Sequence, residues 1–168
     1  AERVAQGIAD RLKLSALPSF REGAPNEEGG KTAVLVRLER NICTLSLDTS
    51  GAHLHRRGYR LSAGQAPLRE TLAASVLLAC GWSVDSETLM DPMCGSGTLA
   101  IEGALIASHT PPGFYRNFAF ENAPFFDRDS YEEIKANLQS KIIKPKKPIT
   151  ASDRNKNAIK AASSNAQN

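Results

Sequence analysis

The chain lacks most of the devices that staple a small protein together. Its 168 residues include three cysteines, Cys43, Cys80 and Cys94. No two of them form a close Cys-x-x-Cys pair, and the count is odd, so neither a disulfide framework nor a zinc site is expected. Reduced thiols in a cytoplasmic protein are the simpler reading. No apolar run approaches the roughly 20 residues needed to span a bilayer, and no membrane partner is expected. The first residues, Ala-Glu-Arg-Val-Ala-Gln, resemble neither a signal peptide nor a transit peptide. His53 and His55 stand two apart with no acidic or thiol neighbour, so no metal is expected either. Internal repeats and low-complexity tracts are also missing.

What is present has the balance of an ordinary folded protein, with 41% hydrophobic and 23% charged residues. The length suits one good-sized domain or two small ones. A net charge of +3 is compatible with a polyanionic partner without requiring one. Positive residues crowd into His53–Arg60 and into the run from Lys141 to Lys147. The second run, with Lys144, Lys146 and Lys147, reads as a solvated surface.

Periodicity divides the chain into elements. Residues 1–14 predict an amphipathic helix on Val4, Ile8 and Leu12. Gly23 to Gly30 predicts a loop. Residues 32–39 alternate with Val34, Val36 and Leu38 on one side, residues 42–49 alternate with Cys43, Leu45 and Leu47 on one side, and Glu39-Arg40-Asn41 between them suits a short turn. An antiparallel hairpin is expected. Residues 66–80 predict a helix with Pro67 in its first turn, an apolar face of Leu68, Leu72, Val76 and Ala79/Cys80, and Gly81 as its stop. A short strand should end at Asp91, and a helix should run from Ser96 or Thr98 through Ile106. Residues 114–128 hold six of the chain's aromatics and predict irregular structure. A helix is expected after Asp129 or Ser130, a strand end at Ile149–Asp153, and a last helix carrying Ala158, Ile159, Ala162 and Asn165.

Chemistry enters at Asp91-Pro92-Met93-Cys94-Gly95-Ser96-Gly97-Thr98. A strand, a glycine turn and a helix in that order form a nucleotide-type site. Glycine permits a sharp turn and close approach of a ligand, and the helix start supplies N–H groups and positive dipole. Gly-x-Gly alone is also a common structural turn. The full Gly-x-Gly-x-x-Gly of dinucleotide folds is absent, and so is the Gly-Lys-Ser/Thr ending of a triphosphate loop, so both cofactor classes fit poorly. Asp91 is placed to orient the loop or to meet a cofactor's ammonium group. Glu102, on the following helix, reads as a surface or helix-packing residue. Asp153 on its own reads as a helix N-cap.

Continued to Leu99, Ile101 and Glu102, this segment resembles the cofactor motif of RNA guanine-N2 methyltransferases that carry a THUMP domain, the bacterial large-subunit ribosomal RNA enzymes in particular. Leu47-Asp48-Thr49-Ser50-Gly51 with His55-Arg56-Arg57-Gly58-Tyr59-Arg60 is similar to the segment joining THUMP to the catalytic domain. Ala66-Pro67-Leu68-Arg69-Glu70-Thr71-Leu72 looks like the helix before the first strand, and Phe118-Ala119-Phe120-Glu121 also fits. The likeness runs over nearly all of 32–168.

The resemblance implies an α/β fold. Its expected form is the N-terminal portion of a Rossmann-like class I methyltransferase domain (61–168), preceded by the C-terminal part of an α+β THUMP-like domain and joining segment (1–60). It implies S-adenosylmethionine as cofactor. Pro67, Leu68, Arg69 and Glu70 would close over its methionine end, Asp91, Pro92, Met93, Cys94, Gly95, Ser96 and Gly97 would form the loop, and Asp153 would accept the ribose hydroxyls. Ribosomal RNA is the implied partner, with Arg56, Arg57 and Arg60 on phosphates and Tyr59 stacked on a base; a solvated interdomain linker is the bland alternative for that stretch.

The family's acceptor motif, Asn/Asp-Pro-Pro-Tyr/Phe, has no good match here. Asn122-Ala123-Pro124-Phe125 lacks the second proline and precedes Asp153, so it reads as a decoy within an insertion. No catalytic residue is therefore assigned. The chain is expected to be a fragment that binds cofactor weakly if at all and transfers no methyl group by itself. Two other functions stay open: a DNA adenine-N6 methyltransferase, and an RNA-binding module without catalysis. The joining segment favours RNA over DNA.

Overall fold

The computed structural model describes residues 2–13, 33–61 and 67–168. They fall into two compact units. The first comprises 1–52 with 118–123, and the second 53–117 with 124–168. The joining segment 53–60, expected with the N-terminal domain, clusters with the second unit instead, and the first unit reclaims six residues from the aromatic stretch. The predicted glycine-rich loop at 23–30 lies outside the described residues.

The first unit holds helix α1 (Glu2–Leu12) and strands β1 (Val34–Glu39) and β2 (Ile42–Leu47). The strands pair antiparallel with Val34 opposite Leu47, Val36 opposite Leu45 and Leu38 opposite Cys43, so the expected apolar residues do share one face. Arg40 and Asn41 turn the hairpin at φ 49° and 63°. Positive φ at both central residues is what a two-residue turn needs to match the twist of its strands. After β2, Asp48 Oδ1 accepts from Ser50 N at 2.9 Å. Thr49 O then accepts from Phe120 N at 3.1 Å, which fastens a short 3-10 turn, Ala119–Asn122, to this unit.

The second unit is the α/β half. Its elements are α2 (Glu70–Ala79), β3 (Leu89–Asp91), α3 (Thr98–Ala107), α4 (Arg128–Gln139), β4 (Ile149–Ala151) and α5 (Lys156–Ala166). Strands β3 and β4 are parallel neighbours, with Leu89 opposite Ile149 and Asp91 opposite Ala151. The connection between them carries α3, the irregular aromatic stretch and α4. A parallel pair joined through helices is the signature of a Rossmann-like α/β sheet. No described helix is long and apolar enough to cross a membrane.

Three local expectations need correction. Helix α2 begins at Glu70, not at 66, because Arg69 is extended at ψ 139°. Pro67 therefore precedes the helix rather than opening it. The buried face of α2 is Glu70, Ala73 and Leu77, while Leu68, Leu72 and Val76 are 40–52% exposed. This helix is apolar nearly all round, so periodicity could not choose its inward face. It packs on α3, where Leu77 lies beside Gly103. Finally, α4 starts at Arg128, two or three residues earlier than expected. Asp127 is its cap and accepts from Ser130 N at 3.1 Å and Ser130 Oγ at 2.7 Å.

A side chain at Gly103 would collide with the Leu89 side chain and lie 3.6 Å from Leu77. Gly103→Val is expected to lower the stability of the protein by about 1–3 kcal/mol, the usual cost of overpacking, measured as a lowered midpoint in urea. Gly7→Ala on α1, where a Cβ meets nothing within 4 Å, should show no such loss.

Candidate cofactor site

The site is built where β3 ends, because parallel strands present their carboxyl ends to the loop that starts the next helix. Asp91 closes β3, and its Oδ1 accepts from Met93 N at 3.2 Å. Asp91 O accepts from Ser152 N at 2.8 Å, and Ser152 O accepts from Cys94 N at 3.0 Å. These bonds continue the parallel ladder past the strands and lash the glycine loop to the end of β4. Cys94 is buried, and burial with Asp91 and Asp153 nearby raises its thiol pKa. It is a packed thiol rather than a thiolate nucleophile.

The two glycines serve different needs. Gly97, the N-cap of α3, has φ 84°. A Cβ there would stand 3.0 Å from the Ala162 Cβ, so Gly97 lets α5 approach the loop. Gly95 has φ 53°, and a Cβ there would meet nothing within 4 Å. Gly95 thus faces open space, the cradle a close-lying ligand requires.

Asp153 lies 58 positions beyond Gly95 in sequence, yet its Oδ2 accepts from Gly95 N at 3.0 Å. Its Oδ1 accepts from Asn155 N at 2.8 Å. The backbone amides of Asn155 and then Gly95 hold this carboxyl below its ordinary pKa. The cap of α5 is Asn155, whose side chain accepts from Asn157 N at 2.9 Å, which corrects the N-cap reading of Asp153. Each carboxylate oxygen keeps a second acceptor site after one such bond.

Of the other expected cofactor residues, Ser96 is buried, whereas Pro92 and Met93 are exposed, Met93 at 83%. Pro67, Leu68 and Arg69 are exposed ahead of α2. Glu70 is buried, and Arg60 Nε donates to its Oε1 at 2.9 Å. That carboxylate is turned to a protein partner.

The basic segment differs most from expectation. Tyr59 is 3% exposed, and its hydroxyl donates to Glu102 Oε1 at 3.1 Å. Burial first, then Glu102, raises its pKa. A ring so enclosed is not offered to a base, which corrects the stacking role. Arg57 reaches the same Glu102 oxygen at 3.6 Å, with its side chain 12% exposed. Arg60 is likewise folded inward onto Glu70, Ser96 and Thr98. Arg56 alone among the four is exposed. The backbone of this segment is pinned as well: Arg116 Nη1 donates to His53 O at 2.8 Å, and Gly58, at φ 104°, leaves no room for a side chain against the Tyr115 carbonyl.

Glu102 is the residue that sequence reasoning missed. It is 2% exposed. Desolvation raises its pKa, and Arg57 and Tyr59 only partly offset this. A lone acid on so apolar a helix, Thr98–Ala107, was the available signal. Among the described residues no group of three His, Cys, Asp or Glu is placed to hold a metal ion.

With this geometry in view, the comparisons are specific. Residues 57–168 match the family model described as RMKL-like, methyltransferase domain. The chain belongs to this family. It is 40% identical over 174 residues to the ribosomal RNA large subunit methyltransferase K/L of Vibrio campbellii, covering 99% of this chain and 24% of that protein. Solved structures agree. SMU.472, complexed with SAH, superposes with a TM-score of 0.76 at 28% identity, over 99% of this chain and 42% of that one. A predicted N6-adenine-specific DNA methylase from Listeria monocytogenes gives 0.75 at 32% identity, over 98% and 41%. The chain therefore spans 24% to 42% of the length of these relatives, and its α/β fold is that of S-adenosylmethionine-dependent methyltransferases.

Two outcomes check the site. Tyr59→Phe should cost about 1–3 kcal/mol of stability, because buried Glu102 loses a donor, read as a lowered midpoint in urea. For Asp153 the folded carboxyl is more acidic than the unfolded one, whose ordinary value is 3.8. Its contribution is complete above that value and is lost as pH falls through the lower folded one. The Gly95 amide proton resonance should accordingly titrate with a midpoint below 3.8, and Asp153→Asn should abolish that transition.

Proposed function

We propose that this chain supplies the S-adenosylmethionine-binding part of an RNA methyltransferase that modifies the exocyclic N2 of a guanine in large-subunit ribosomal RNA. The observation that carries the reading is how the loop uses its own amides. The N–H groups of Met93, Cys94, Gly95 and Gly97 are all taken by protein acceptors. A phosphate-binding loop turns such groups toward its ligand. Here they hold the loop's shape and leave the open side of Gly95 for a ligand without a phosphate. A sulfonium nucleoside with a ribose fits that description.

S-adenosylmethionine brings an activated methyl group for in-line transfer to an amine. The chain's own residues bind and orient. Gly95 allows close approach, Asp153 stays ionised with acceptor capacity for ribose hydroxyls, and Asp91 offers a carboxylate at the strand end. The start of α3 adds positive dipole beside the loop. Guanine N2 is a weak nucleophile because its lone pair is delocalised into the ring, so positioning and electrostatics would supply the rate. Arg56, exposed on the joining segment, is the residue best placed for an RNA phosphate. The ribosomal RNA target is supported by the relative's name and by the joining-segment resemblance, which also motivates a THUMP-like assignment for the first unit.

A second reading, adenine-N6 methylation of DNA, has one specific support, the Listeria structure. Both reactions transfer a methyl group to an exocyclic amine. The test is methyl transfer from labelled S-adenosylmethionine by the intact protein, offered large-subunit ribosomal RNA and DNA in parallel. Label recovered as N2-methylguanine in RNA is the expected result, and label in DNA adenine would transfer the assignment to the second reading. Calorimetric titration that finds no binding of S-adenosylmethionine would remove both.

A further inference from the structure

We propose that Arg60 is a positioning residue of the cofactor loop, acting together with Asn165, and not an RNA contact; this rests on the S-adenosylmethionine reading of the loop. Arg60 leaves the joining segment and spends its guanidinium on four acceptors. Nε donates to Glu70 Oε1 at 2.9 Å, and Nη1 donates to Ser96 Oγ at 3.1 Å. Nη2 donates to Leu68 O and to Thr98 Oγ1, both at 2.9 Å. One planar fork thus joins the entry to α2, the loop and the first residue of α3. Only a guanidinium presents donors in this arrangement.

Asn165 completes the hold from the opposite side. It is 1% exposed. Its Nδ2 donates to Ser96 O at 3.0 Å, and its Oδ1 accepts from Leu61 N at 2.8 Å. Ser96 is therefore gripped by its hydroxyl from Arg60 and by its carbonyl from α5. It stands between Gly95, which faces open space, and Gly97, which packs against Ala162. Gly95 itself is held by Asp153. Fixing Ser96 fixes the direction in which the open side of Gly95 points. The same inward commitment leaves the Arg60 side chain only 17% exposed, a poor geometry for a phosphate in solution.

The experiment compares Arg60→Lys and Thr98→Val with the wild type in the intact protein. Binding of S-adenosylmethionine is read by calorimetry, binding of ribosomal RNA at several salt concentrations, and melting temperature alongside. Lysine keeps the charge but not the fork, so a phosphate contact would survive it and the loop clamp would not. Arg60→Lys should raise the Kd for S-adenosylmethionine about tenfold, the loss of one charge-assisted bond, with RNA affinity within about twofold and its salt slope unchanged. Thr98→Val, which leaves the charge in place, should weaken the cofactor in the same direction and keeps the test alive if Arg60→Lys fails to fold. Unchanged cofactor affinity in the variants would overturn the proposal, as would a parallel loss of melting temperature, cofactor binding and RNA binding, or an RNA-only loss with a shallower salt slope. A wild type that does not bind S-adenosylmethionine would overturn the cofactor reading itself, and this inference with it.

Discussion

Two buried carboxylates, one on α2 and one on α3, set the terms for everything around them. Glu70 and Glu102 are 3% and 2% exposed. An ion taken out of water is tolerable only with a partner in good geometry, and stranding one by removing its partner costs about 3–5 kcal/mol. The partners come from a single short segment. Arg60 meets Glu70, while Tyr59 and Arg57 meet Glu102. The segment cannot leave without exposing both acids to an apolar interior. It is therefore part of the α/β unit, although in sequence it reads as a linker.

The cofactor loop inherits its order from that arrangement. Arg60, once committed to Glu70, has donors left for Ser96 and Thr98. From the other side the loop is tied to the end of β4 through Ser152 and Asp153. A ligand meeting such a loop pays little of the ordering cost that a floppy loop would impose. Preorganisation here comes from charge pairing and from extending a parallel ladder, with very little contribution from a large apolar core. Asn165, a polar side chain, is only 1% exposed.

Parts of this were legible in advance for identifiable reasons. The β1–β2 hairpin declared itself because two runs alternate with a period of two on either side of a short turn stretch, while its register came with the structure. The loop declared itself because Gly95 and Gly97 sit between a strand pattern and a helix pattern. The inward face of α2 did not, since Leu72 and Val76 compete with Ala73 and Leu77 on a helix apolar nearly all round. Arg57, Tyr59 and Arg60 were misread because a basic cluster looks solvated until its acids are located, and those acids lie on other elements. Tyr59 and Glu102 are 43 positions apart, and Arg60 and Ser96 are 36. Glu102 went unassigned for the mirror-image reason.

By itself, the sequence determined the element types, the antiparallel hairpin, the glycine loop and the family. Each depends on residues near one another in the chain, where periodicity and backbone freedom act. Only the tertiary structure decided which way α2 faces, that Gly95 opens outward while Gly97 packs inward, and that the arginines of the joining segment serve buried carboxylates. These are choices among side chains distant in sequence. They are settled by the cost of burying charge and by the space a neighbouring helix leaves, and neither quantity exists until the chain has folded.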